Sequence, residues 1–89
     1  MKSYFLNNMA KPEMLAISLA KVLPGQERPW LLHSSSNDVM AYFDIIFEED
    51  GLIVVQADIS GRHYDCDEMV LEKLREVANV VGGIICDDK

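Results

Sequence analysis

Cysteine is scarce in this sequence. Cys66 and Cys86 are the only two, too few for a disulfide framework. Long apolar runs are missing as well, and no window approaches the roughly 18 apolar residues of a membrane span. The opening residues, Met1-Lys2-Ser3-Tyr4-Phe5-Leu6-Asn7-Asn8, hold no apolar stretch long enough for a signal peptide. The expectation is a cytoplasmic domain with both thiols free. Basic residues are also few: 8 Lys and Arg stand against 15 Asp and Glu, a net charge of −7. Binding to nucleic acid needs clustered Lys and Arg, so this balance argues against it. It argues equally against an anionic membrane surface.

What is present suffices for one small core. A chain of 89 residues is a single α+β domain by size, spanning residues 1–89. Apolar residues make up 49%, a globular share and too high for disorder. The residues from Ser3 to Leu6 are aromatic-rich and read as a first strand. Pro12 suits the first turn of a helix that runs to Leu23. In that helix only Glu13, Ser18 and Lys21 are polar, on one narrow arc, and Pro24-Gly25 ends it. Arg28 to His33 reads as a short strand or an anchored loop, with Trp30 as a core anchor.

The clearest element is a hairpin. Val39, Ala41, Phe43, Ile45 and Phe47 alternate on one strand, and Ile53, Val55, Ala57 and Ile59 on the next. Register decides the loop between them. A two-residue Asp50-Gly51 turn would pair Ile45 with Gln56 and Phe43 with Asp58, setting polar residues on the apolar face. A three-residue loop, Glu49-Asp50-Gly51, pairs Phe47 with Ile53, Ile45 with Val55 and Phe43 with Ala57. One face is then uniformly apolar, and Gly51 falls where a positive φ is needed.

Asp65 followed by Glu68 resembles a capping box. Val70, Leu74, Val77 and Val81 then recur at helical spacing, giving an amphipathic helix from about Cys66 to Val80. Gly82-Gly83 breaks it, and Ile84-Ile85-Cys86 forms a last strand. The order βαββαβ suggests a ferredoxin-like arrangement, a four-stranded antiparallel sheet with two helices on one face. In that order the strand from Val39 to Glu48 lies at a sheet edge. That fold hosts many activities and implies none by itself.

No residue set points to catalysis, a cofactor or a metal. His63, Asp65, Cys66 and Asp67 lack the paired spacing of a zinc site and read as a capped helix start. Asp65 and Asp67 flank Cys66 and disfavour its thiolate. Asp44 and Asp58 share the hairpin face opposite the core, but an open face gives no pocket to tune them for acid–base work. The chain therefore reads as a non-enzyme.

Charge is distributed unevenly. Residues 1–37 carry +2, residues 38–68 carry −8 and residues 69–89 carry −1. The hairpin face opposite the core holds Met40, Tyr42, Asp44, Ile46, Glu48, Leu52, Val54, Gln56 and Asp58. Apolar anchors among carboxylates make a recognition patch, with Tyr42 as its anchor. Two accounts of this patch stand side by side. It is either a partner-binding surface of Tyr42, Asp44, Ile46, Glu48, Val54, Gln56 and Asp58, or a second small core covered by the segment from Pro24 to Asp38. The first leads to an acidic module that masks a basic protein, as immunity proteins and antitoxins neutralise toxins. The alternative is a homodimeric regulatory domain that holds a small ligand at a sheet interface.

Overall fold

The computed structural model describes residues 2–23, 30–61 and 67–87. Its elements are β1 (Lys2–Asn7), a 3₁₀ turn (Pro12–Met14), α1 (Leu15–Val22), β2 (Trp30–His33), β3 (Val39–Phe47), β4 (Ile53–Ile59), α2 (Asp67–Val81) and β5 (Ile84–Cys86). The strands form one five-stranded antiparallel sheet in the order β2-β3-β4-β1-β5.

The hairpin follows the three-residue loop. Phe47 lies opposite Ile53, Ile45 opposite Val55 and Phe43 opposite Ala57. The Gly51 amide donates to the Glu48 carbonyl at 3.1 Å, and the Glu48 amide to the Leu52 carbonyl at 2.8 Å. Gly51 has φ of 87°, a conformation that costs a residue with a Cβ and costs glycine almost nothing. The odd-numbered residues of β3 and β4 then share one face. Tyr4 and Leu6 of β1 and Trp30 and Leu32 of β2 join it through the neighbouring registers.

Both helices pack into this face. Leu15, Leu19 and Leu23 from the first helical segment and Val70, Leu74, Val77 and Val81 from α2 form one cluster with Leu6, Phe43, Val55, Ala57 and Ile59. The Lys11 amide donates to the Val81 carbonyl at 2.9 Å, tying the start of the first helical segment to the end of α2. Gly83 makes the return to β5 possible. At φ of 120° its backbone passes so close to β1 that a Cβ would lie 2.7 Å from the Asn7 carbonyl oxygen.

Several expectations need correcting. The sheet has five strands, and the strand from Val39 is not at its edge, because β2 pairs along it with Trp30 opposite Phe43 and Leu32 opposite Ala41. The cause is apolar: pairing there lets Trp30 and Leu32 enter the core. A bulge between Leu32 and His33 shifts the register and breaks the alternation of β3 at its start. Met40 is consequently buried in the core cluster and is not part of the outer face. On α1, Ser18 is buried while Ile17 is 53% exposed, so the polar arc read from the sequence is not the solvent arc. Residues 30–38 extend the sheet sideways and do not fold across its outer face. The capping residue Asp65, and residues 24–29, lie outside the described residues.

Phe43 and Leu74 have no exposed surface. Phe43→Ala is expected to cost about 3–5 kcal/mol and Leu74→Ala about 2–5 kcal/mol. Against a total near 5–10 kcal/mol, either change should lower the thermal midpoint by many degrees. Melting curves within a few degrees of the parent would contradict this core.

Candidate functional site

The second face of the sheet is built from the residues that alternate with the core. Three cross-strand rows can be followed through the pairing. Leu31, Tyr42, Asp58 and Ser3 lie side by side across β2, β3, β4 and β1. Asp44, Gln56, Phe5 and Cys86 form the next row across β3, β4, β1 and β5. Ile46 and Val54 pair beyond them, and Asn7 pairs with Ile84. Of the sequence-derived set, Tyr42, Asp44, Ile46, Val54, Gln56 and Asp58 are thus brought together, with Glu48 next on β3's alternation at the loop.

The face is apolar at several positions. Tyr42 is 43% exposed and Ile84 more so, while Leu31, Phe5 and Ile46 are half-buried. Val54 is only 5% exposed, because its strand is flanked on both sides and neighbouring side chains crowd it. Among the described residues, the helices serve the core on the opposite side, and no described element crosses this face.

Polar groups between the apolar ones are held in place. Asp58 accepts hydrogen bonds from the Ser3 hydroxyl and from Gln56 Nε2, the latter at 2.9 Å to Oδ1 and 3.2 Å to Oδ2. Asp44 Oδ1 accepts from the Ile45 amide at 2.9 Å. Asn7 Nδ2 donates to Cys86 Sγ at 3.1 Å. Beside this face, toward the hairpin tip, a surface hollow of about 680 Å³ is lined in part by Asn7, Asn8, Glu49, Asp50 and Leu52. The acidic loop makes that end of the face strongly electronegative.

Sequence reasoning confined the face to the hairpin and missed Ser3, Phe5, Leu31 and Cys86. A signal for part of it was present: Ser3, Phe5 and Asn7 alternate with Tyr4 and Leu6, and β1 lies beside β4. Leu31 had no such signal, because four residues behind a proline show too little alternation.

Other chemistry is limited. Among the described residues no three His, Cys, Asp or Glu side chains gather as metal ligands. His63, Asp65 and Cys66, the remainder of the cluster weighed for metal binding, lie outside the described residues. No described helix is long and apolar enough to cross a membrane. No family model matches the chain, and neither does any curated protein or solved structure.

At the far end of the sheet, Asp67 at the start of α2 clamps β1. Its Oδ2 accepts from the Tyr4 hydroxyl at 2.6 Å and from the Lys2 ammonium. The Lys2 bond first, then the Tyr4 bond, holds the Asp67 carboxyl below its ordinary value. The same carboxylate raises the Tyr4 phenol and the Lys2 ammonium above theirs. A depressed carboxyl adds stability above its unfolded value near 3.9, lost as pH falls through the folded value. Raised phenol and ammonium values add stability below about 10, lost as pH rises through the folded values. Asp67→Asn is therefore expected to lower the thermal midpoint most near neutral pH. The gap to the parent should close as pH falls through the lowered Asp67 value and narrow as pH rises through the raised Tyr4 and Lys2 values. A gap as wide at those acid and alkaline extremes as at neutral pH would contradict the clamp.

Proposed function

We propose that this chain is a small acidic binding module whose outer sheet face docks onto a basic protein and masks it. One observation carries the reading. Tyr42, Ile46, Leu31 and Phe5 share with Asp44 and Asp58 a face that no described element crosses, and its hairpin belongs to the segment that carries −8. Apolar side chains supply contact area, and the charge speeds encounter with a cationic surface and sets partner choice. Masking a basic toxin, as immunity proteins and antitoxins do, is the mode that this size and charge favour. Nucleic acid, membrane and catalysis have no part in this reading, and the cytoplasm is its proposed setting.

The homodimeric alternative uses the same apolar residues. It is disfavoured because two copies facing each other would oppose their carboxylates, each chain bringing a charge of −7. We read the architecture as ferredoxin-like with one addition. The run β3-β4-β1-β5 and the two helices follow that arrangement, and β2 is an added outer strand. This topology leaves one sheet face for binding.

The test is capture from the native host with the immobilised chain, followed by mass spectrometry. The expected partner is strongly basic, and its binding weakens steeply as salt rises. Tyr42→Ala should weaken binding by about 2 kcal/mol or more while changing the melting temperature little. Asp44→Lys with Asp58→Lys should slow association at low salt and matter less at high salt. A salt-insensitive dimer that Tyr42→Ala disrupts, with no basic protein captured, would overturn the proposal.

A further inference from the structure

We infer that Tyr42 and Asp58 form a receptor for a single arginine side chain of the partner, a deepening that rests on the basic-partner reading above. The two residues are directly opposed across β3 and β4 on the outer face. Directly opposed side chains start with Cβ atoms roughly 4.5–5.5 Å apart. Tyr42 is 43% exposed, so its ring offers surface to an incoming group. Asp58 is oriented by two neighbours. The Ser3 hydroxyl and Gln56 Nε2 both donate to Oδ1, whereas among the described residues Oδ2 receives only the longer 3.2 Å contact from Gln56. Oδ2 therefore retains acceptor capacity for a strong donor, and the carboxylate is already fixed in place.

An aromatic ring beside a fixed carboxylate suits a guanidinium better than an ammonium. The planar guanidinium stacks on the ring while its N–H groups reach the carboxylate in the same plane. An ammonium is more strongly hydrated and has no plane to stack. Leu31, next to Tyr42 on β2, adds apolar surface beside the ring for the methylene stem.

Two fluorescein-labelled peptides test this, equal in length and charge, one carrying only arginine and the other only lysine as basic residues. Their binding is followed by anisotropy on the full chain. The arginine peptide is expected to bind at least about tenfold more tightly. Asp58→Asn and Tyr42→Leu should each reduce that preference to near unity, and Ser3→Ala should reduce it in part. Glu72→Gln on the exposed side of α2 should leave it unchanged. Far-ultraviolet circular dichroism and a parent-like melting curve confirm that each variant is folded, and Ser3→Ala supplies a milder second arm. Equal binding of both peptides, or an arginine preference untouched by Asp58→Asn and Tyr42→Leu, would overturn the arginine receptor and leave the basic-partner reading intact. Failure of both peptides to bind would count against both.

Discussion

Gly51 lets the chain reverse after three residues, and that choice sets the register of β3 against β4. Because side chains alternate, a slip of one residue would turn one strand over against the other, so that either Phe43 and Ile45 or Val55 and Ala57 face away from the helices. Asp44 or Asp58 would then point into the core in their place. The same register that builds the core therefore builds the opposite face. Tyr42 meets Asp58, and Asp44 meets Gln56, only because Phe43 meets Ala57. Core packing makes this register costly to lose, so the outer face inherits its rigidity from residues it never touches.

The strands beside the hairpin widen that face and steady it. β1 brings Ser3 to Asp58 and Phe5 to Gln56, and the Lys2–Tyr4–Asp67 contacts tie β1 to the start of α2. β2 pairs with β3 from Val39 to Phe43, so that the edge of the sheet there is a strand of four residues. An apolar edge invites pairing with other chains, and a short edge strand limits it.

Much of this was legible in the sequence where the pattern was long. Seven residues of β3, Ala41 to Phe47, alternate without interruption, and the comparison of two loop lengths identified the register because only one kept polar residues off the core. The helical spacing of Val70, Leu74, Val77 and Val81 likewise placed α2 within one residue at each end. The short elements were less legible. β2 has four residues, and its assignment depends on burying Trp30 and Leu32, a tertiary matter that no local pattern records. The bulge that turns Met40 inward arises from the same pairing, so Met40 could not be placed before β2 was. Ser18 shows the reverse: it is a polar residue by type, buried where the fold needs it, with Ile17 left outside. The face was recognised from the hairpin alone and was too narrow, since its width depends on which strands flank it.

The central claim is that the outer face is where a basic partner sits. The most direct measurement is an amide and side-chain NMR titration of the labelled chain with the captured basic protein. The account predicts that the largest shifts fall on Leu31, Tyr42, Asp44, Ile46, Gln56, Asp58 and Phe5, with Glu72, Glu76 and Ile17 on the helical side unchanged. Shifts concentrated on α1 and α2, with the sheet face silent, would contradict it.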